Sequence, residues 1–218
     1  MFNPGDKFDK YTLVRLLGEG GMGVVWEATN PFGLPVVLKM LQPELRDNAD
    51  IIERFQREGR IQYTLKHPHI VRVTDIVEDS TGLPALVVDY MAGRDLEEQL
   101  NSNGPLSVED TISVSTKVLD GLQLAHEHGF FHRDLKPSNI YLEKTDHGFE
   151  PRLMDFGIAK IEAAAQLTRA QEFCGTPAYA SPEQIASTKD VDHMTDIYSF
   201  GVVMWSMCTG YEPYREIN

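Results

Sequence analysis

The most informative segment of the sequence is His132-Arg133-Asp134-Leu135-Lys136-Pro137-Ser138-Asn139, which contains an aspartate, a lysine and an asparagine between two apolar segments. Its proline and polar residues predict a loop. Such a loop can bring a carboxylate to a hydroxyl nucleophile, an ammonium group to a moving phosphate and an amide to a metal ion. Asp155-Phe156-Gly157 follows and adds a second carboxylate beside a flexible glycine. Two oxygen ligands next to phosphates suit Mg²⁺, which prefers oxygen donors.

A glycine cluster lies far upstream of this loop. Gly18-Glu19-Gly20-Gly21-Met22-Gly23 matches the pattern G-x-G-x-x-G. A dinucleotide-binding fold requires a helix directly after such glycines, whereas the residues from Val24 to Ala28 predict a strand. A hairpin with glycines at its tip can instead bring backbone N–H groups over phosphates. Taken alone, the motif is equally compatible with an ordinary glycine-rich turn.

A lysine and a glutamate between these motifs are candidates for the same chemistry. Lys39 ends an otherwise apolar strand, and Glu58 lies on a helix predicted from Ala49 to Lys66. Taken singly, both are typical surface residues. Inside a cleft, however, the lysine could neutralise phosphate oxygens and would then need a carboxylate to hold it, for which Glu58 is suited.

Strand and helix patterns are segregated along the chain. Apart from the helix that carries Glu58, the first ninety residues are strand-rich, and the rest is mainly helical. This arrangement favours an α+β fold over a doubly wound sheet. Ser107 predicts the start of a long amphipathic helix, whose expected apolar face consists of Val108, Ile112, Leu119, Leu122 and Ala125.

Composition narrows the class of protein. The 218 residues are 42% hydrophobic and carry a formal net charge of −13. Such a globular, acidic chain is not suited to non-specific nucleic-acid binding or a polybasic membrane contact. The cysteines Cys174 and Cys208 form no disulfide framework, and no basic segment followed by an apolar one opens the chain. We expect a cytoplasmic protein with no nucleic-acid partner and no membrane contact in this segment.

In their order and spacing, these motifs resemble the eukaryotic-type protein kinase family, and the segment from Ser181 to Gln184 is most similar to bacterial Ser/Thr protein kinases. The resemblance covers essentially the whole chain. It implies a bilobal α+β fold: an N-lobe over residues 1–88 with an antiparallel sheet and one main helix, a hinge over 89–94, and a mostly helical C-lobe over 95–218. Family members continue with further helices, so we expect a C-terminally shortened C-lobe.

The resemblance also implies a phosphotransfer site that uses ATP and Mg²⁺. Asp134 would accept the proton of the substrate hydroxyl, and Lys136 would contact the γ-phosphate. Lys39, anchored by Glu58, would hold the α- and β-phosphates. The metal ligands would be Asn139 and Asp155. The other positions that the resemblance assigns to ATP, as phosphate-covering glycines, adenine-pocket residues, hinge groups or ribose contact, are Leu17, Gly18, Gly20, Gly23, Val25, Val37, Val88, Asp89, Met91, Asp95 and Tyr141.

The implied function is a Ser/Thr protein kinase that acts on serine and threonine hydroxyls of protein substrates. Thr168 is the predicted autophosphorylation site, because a phosphate there could pair with Arg133; an unmodified loop threonine is the alternative. A kinase-fold module that binds nucleotide or acts as a scaffold, with little or no turnover, also stays open. So does a small-molecule kinase, although the segment from Gly175 to Glu183 is typical of a protein-substrate platform. Apolar surface near Trp205, left uncovered in a shortened lobe, predicts self-association.

Overall fold

The structure is a computed structural model, and it describes residues 2–19, 23–45, 48–146, 148–156, 177–186 and 191–213. The chain divides into two compact units. The first comprises Met1–Lys66 and Val71–Tyr90, and the second comprises His67–Ile70 and Met91–Asn218. Within the described ranges, no helix is both long enough and apolar enough to cross a membrane.

The first unit is built on a six-stranded antiparallel sheet with the order β1-β2-β3-β4-β6-β5. Side chains of a strand alternate between the two faces, so each face has its own set of residues. One face forms a buried core around Phe8, Trp26, Leu38 and Val87. The strands are β1 (Lys7–Phe8), β2 (Tyr11–Glu19), β3 (Gly23–Thr29), β4 (Pro35–Leu41), β5 (Val73–Glu78) and β6 (Pro84–Asp89).

One long helix, α1 (Ala49–Thr64), completes this unit. It begins where Asn48 Oδ1 accepts a hydrogen bond from Ile51 N at 3.2 Å, as expected of an N-cap asparagine. Glu58 and Gly59 lie on its buried side. A Cβ atom at Gly59 would overlap the Leu86 side chain, so the glycine permits a close approach of the helix to β6.

The second unit is mainly helical. Its small sheet has the order β7-β8-β9. Its long helix has an N-cap serine, because Ser107 Oγ accepts from Asp110 N at 3.0 Å. The predicted α+β segregation is therefore confirmed. The elements are β7 (Gly93–Asp95), α2 (Leu96–Asn103), α3 (Val108–Glu127), β8 (Ile140–Thr145), β9 (Gly148–Leu153), α4 (Pro182–Ala186) and α5 (Met194–Thr209).

The buried side of α3 differs from the predicted one. Val108 and Ile112 are 69% and 61% exposed, whereas Thr111 and Ser115 are buried. The helix turns its more polar residues inward over its first two turns, and Val114, Val118, Leu122 and Ala125 supply the core farther along. Leu119 is also exposed, so the assignment of Val108, Ile112 and Leu119 to the core face was wrong, whereas that of Leu122 and Ala125 is confirmed.

The segment His67–Ile70 separates α1 from β5 in sequence but packs within the second unit. Leu153 N donates to His69 O at 2.8 Å, and Ile70 forms a parallel bridge with Leu153. His67 Nε2 lies 3.2 Å from Asp120 Oδ2 on α3. These contacts fix the segment against β9 and α3.

Candidate active site

The predicted catalytic loop brings three of its polar residues into direct contact. Asp134 Oδ2 lies 2.9 Å from Lys136 Nζ and accepts a hydrogen bond from Asn139 Nδ2 at 3.1 Å. Asn139 Nδ2 also donates to the carbonyl oxygen of Asp134 at 2.6 Å. The tight turn Pro137–Asn139, with proline at its first position, folds the asparagine back onto the aspartate. The loop thus holds a carboxylate, an ammonium group and an amide in one cluster.

A buried aspartate that the sequence did not single out supports this loop. Asp196, at the start of α5, is fully buried. Its Oδ2 accepts from His132 N at 2.8 Å and from His126 Nε2 at 2.7 Å, and its Oδ1 accepts from Arg133 N at 2.8 Å. Hydrogen bonds to an ionised group are roughly twice as strong as neutral ones. Asp196 therefore fixes the backbone directly before Asp134.

The backbone of Arg133 needs such support because its φ is 66°, in the left-handed region that non-glycine residues rarely adopt. Asp155 has a similar φ of 65°. Conformations of this kind persist only where the surroundings enforce them, and they cluster at functional sites. Both unusual residues lie at predicted site positions or next to one.

His132 has a defined tautomer and links the predicted catalytic loop to the segment that carries Asp155. Its ring is fully buried, and burial lowers the pKa of the imidazole below its usual value, so the ring is neutral at pH 7. Nε2 donates to Met154 O at 2.8 Å, and Nδ1 accepts from Asp134 N at 3.4 Å. The ring of Phe156 packs on the same imidazole with a centroid distance of 4.7 Å.

The β8–β9 hairpin brings the two predicted metal ligands to the same end of one element. Asn139 immediately precedes β8, Asp155 follows β9 by two residues, and Ile140 pairs with Leu153 between them. Met154 N also donates to Asn139 O at 3.0 Å. Nδ2 of Asn139 donates hydrogen bonds to Asp134. The amide oxygen Oδ1 is therefore the atom of this side chain that is suited to bind a metal. An amide oxygen and a carboxylate are hard donors that fit Mg²⁺.

In the first unit, the strand register places the predicted nucleotide residues on one face of the sheet. Lys39 of β4 pairs with Val25 on one side and with Leu86 on the other. Val37 pairs with Val88 in the same way. These residues occupy the face opposite the buried core, because their immediate neighbours along β3 and β4 point into that core.

Lys39 is electrostatically unusual. Burial lowers the pKa of its ammonium group from 10.5 to about 7. An ionised phosphate nearby would favour the charged form and raise this pKa again. Binding of an anionic ligand near Lys39 would therefore increase the fraction of the protonated form.

Glu58 lies in the buried side of α1 and is only 4% exposed. Its Oε1 is 3.4 Å from Arg57 Nη2, and its Oε2 is buried with no hydrogen-bond partner among the residues that the structure describes. A buried carboxylate oxygen in this state carries a desolvation cost that a cation would offset. The anchoring of Lys39 by Glu58 stays a prediction.

The predicted hinge contains a tyrosine contact that the sequence did not indicate. Tyr141 OH donates to Met91 O at 3.1 Å, and Lys144 N donates to Ala92 O at 2.7 Å. Gly93 is required here because a Cβ atom would overlap the carbonyl oxygen of Leu142 on β8. The segment that follows Met91 is thus tied to β8.

The structure describes most of the remaining predicted site residues. Asp95 caps α2, with Oδ1 accepting from Glu98 N at 2.8 Å. Asp89 ends β6, Leu17 is 41% exposed on β2, and Gly18 pairs with Val25. A Cβ atom at Gly23 would overlap Met40 O. Gly20 and Thr168 lie outside the described residues.

Comparison with known proteins agrees with this architecture. The chain matches the protein kinase domain family over residues 11–218. It is 39% identical to the serine/threonine-protein kinase PkaA of Streptomyces coelicolor over an alignment of 217 residues, and the match covers 94% of this chain and 40% of PkaA. It is also 39% identical to the serine/threonine-protein kinase pkn3 of Myxococcus xanthus over an alignment of 214 residues, and the match covers 94% of this chain and 39% of that relative. The chain thus spans about two fifths of the length of these relatives.

Solved structures give the same result. The crystal structure of the Mycobacterium tuberculosis PknI kinase domain has a TM-score of 0.77 and 31% identity, and the match covers 98% of this chain and 79% of that one. Rad53 in complex with AMP-PNP has a TM-score of 0.76 and 26% identity, with 94% of this chain and 49% of that one covered. The chain therefore belongs to the protein kinase domain family and has the protein kinase fold, with an antiparallel-sheet N-lobe and a helical C-lobe.

Proposed function

We propose that the protein is a Ser/Thr protein kinase that transfers the γ-phosphate of ATP to serine and threonine hydroxyls of protein substrates. The observation that carries the proposal is the contact of Asp134 with both Lys136 and Asn139 in one loop. The named bacterial relatives are Ser/Thr kinases, and a structural relative is a complex with an ATP analogue, which supports the same reaction.

Asp134 acts on the nucleophile in this proposal. Lys136 and Asn139 both engage Oδ2, so a substrate hydroxyl meets Oδ1. The carboxylate orients the hydroxyl and takes its proton as the oxygen attacks the γ-phosphorus. The bond between that phosphorus and the β–γ bridging oxygen breaks, and ADP leaves. Lys136 stabilises the negative charge on the transferred group.

Mg²⁺ would be held by Asn139 and Asp155, which the hairpin brings to one end. Two protein oxygens are an ordinary complement for this ion, because it keeps water and substrate phosphates as its other ligands. When bound, it would neutralise charge on the β- and γ-phosphates.

The nucleotide would contact residues of the first unit, on the face of the sheet that carries Lys39. Lys39, in contact with the α- and β-phosphates and anchored by Glu58, would regain its proton on binding. Gly18, Gly20 and Gly23 would cover the phosphates. The proposed adenine and ribose contacts are Leu17, Val25, Val37, Val88, Asp89, Met91, Asp95 and Tyr141.

Two further features of the proposal concern regulation and association. Thr168 would be the autophosphorylation site.

An open groove of about 640 Å³ on α5, with Trp205 half-exposed and Met194 54% exposed at its wall, would support association of two copies. Sedimentation velocity tests this association: a dimer that Trp205→Ser dissociates supports it, and a monomer at all concentrations contradicts it. We further propose that the segment acts in the cytoplasm, where thiols stay reduced and ATP is supplied.

Intact-mass measurement after incubation with Mg²⁺ and ATP tests the main proposal, with Asp134→Asn as the matched variant. The amide cannot accept the hydroxyl proton, so we expect phosphate gain in the wild type alone, with ATP binding unchanged in the variant. Peptide mapping would then locate the phosphate and test Thr168. No gain on the chain or on an added protein substrate, with ATP still raising Tm, would instead indicate a nucleotide-binding module with little turnover.

A further inference from the structure

The peptide group between Arg133 and Asp134 is held from more than one side. Its N–H, on Asp134, faces Nδ1 of His132 at 3.4 Å. Its carbonyl oxygen, on Arg133, accepts a hydrogen bond from Gln184 Nε2 at 2.8 Å. Asp196 holds the preceding N–H of Arg133. His132 and Gln184 therefore hold the peptide that precedes the proposed catalytic base, and Asp196 holds the peptide before it. Gln184 and Asp196 both come from distant segments of sequence.

Gln184 is itself held in one orientation. Its Oε1 accepts from Ser181 N at 3.1 Å, which assigns the other amide atom, Nε2, to the Arg133 carbonyl. Its backbone N–H donates to Ser181 Oγ at 3.3 Å. Ser181 Oγ also lies 2.7 Å from Thr195 Oγ1, and both of these residues are fully buried. The glutamine thus projects from a rigid base on α4 and α5.

We propose that Gln184 is a positioning residue for Asp134, and this inference rests on the proposed kinase function. It acts through the Arg133 carbonyl by stabilising the left-handed conformation at Arg133, and so it orients the Asp134 carboxylate towards the substrate hydroxyl. The contact therefore couples the α4 segment to the proposed base.

A purely local role for Gln184 makes a different prediction. If its function were only to fill space, an unbranched side chain of similar length would replace it. If its function were only to accept the hydrogen bond of Ser181 N at the start of α4, glutamate would replace it. Methionine has nearly the volume of glutamine but no N–H donor. Glutamate has the same shape, and its carboxylate would face the Arg133 carbonyl, where it repels. The two substitutions thus separate packing from hydrogen bonding.

The test measures kcat and KM for ATP, together with Tm, for the full chain and for Gln184→Met, Gln184→Glu and the control Gln123→Met, with casein as the protein substrate. Gln123 lies on the exposed side of α3. We expect about a 10-fold lower kcat for Gln184→Met and a larger loss for Gln184→Glu, with KM for ATP unchanged, because the placement of a general base contributes roughly 10²–10⁴-fold. The control should behave as the wild type.

A kcat of Gln184→Met within two-fold of the wild type would overturn the inference. So would a parallel change of kcat, KM and Tm, since that pattern indicates a structural role. If Gln184→Met fails to fold, the polar Gln184→Glu variant gives the decisive kcat.

A second readout does not depend on catalysis. Amide hydrogen exchange of a peptide spanning residues 131–136 should become faster in Gln184→Met than in Gln123→Met. Equal exchange in both would overturn the inference, whereas a wild type that transfers no phosphate would overturn the proposed function alone.

Discussion

Replacement of Asp196 by asparagine tests how the catalytic loop is held. Asp196 Oδ2 accepts two hydrogen bonds and Oδ1 accepts one. In the best orientation, the amide oxygen of the variant keeps the first two contacts and its NH₂ group faces the N–H of Arg133. One charge-assisted bond is then lost, and a buried donor is left facing another donor. Each effect costs about 1–3 kcal/mol, so we expect a loss of about 2–6 kcal/mol of unfolding free energy.

The assay is thermal unfolding followed by circular dichroism, together with phosphotransfer kinetics. For a chain of this length, about 2–4 °C per kcal/mol predicts a Tm lower by roughly 4–24 °C. The matched control is Asp120→Asn, whose side chain is 63% exposed and pairs only with His67 among the described residues; it should cost under about 1 kcal/mol. If Asp196→Asn melts within about 2 °C of the wild type with unchanged kcat, the buried aspartate does not support the loop.

Two other predictions follow from single residues. The folded chain releases the Lys39 proton near pH 7 and the unfolded chain near 10.5, so unfolding takes up a proton between these values and stability rises with pH across that window. In urea unfolding, the unfolding free energy of the wild type should rise relative to that of Lys39→Met from pH 7 to pH 10. A constant difference between the two free energies would contradict the lowered pKa. Gly93→Ala should cost about 1–3 kcal/mol, because the new methyl group overlaps the backbone of Leu142; an unchanged urea midpoint would show that this approach is not tight.

Local sequence was sufficient where an element lies within a short span. The Asp134 loop and the strand that carries Lys39 each have patterns that a few adjacent residues establish. The alternation along β3 and β4 also determined which residues share the face of Lys39, since register follows from the pleat once the strands pair.

Contacts between distant segments could not be predicted. Asp196 is a common type of residue at the start of a helix, and only the fold brings it to the backbone of Arg133, 63 residues away. Gln184 meets the same residue over a separation of 51 positions. The inward side of α3 was assigned by hydrophobicity, but tertiary packing buried Thr111 and exposed Ile112. Periodicity indicates an amphipathic helix without specifying how wide its covered side will be.

The hairpin that joins Asn139 to Asp155 has a consequence for engineering. Its proposed metal-binding end is at the Ile140–Leu153 pair, and its turn lies beyond the Thr145–Gly148 pair, five steps farther along the ladder. At about 3.4 Å per residue, the turn is about 17 Å from the ligands. Extra residues inserted beyond the Thr145–Gly148 pair, such as a peptide tag or a fluorophore attachment site, would not shift the register that aligns Asn139 with Asp155. That position is the place to label the protein while phosphotransfer is being measured.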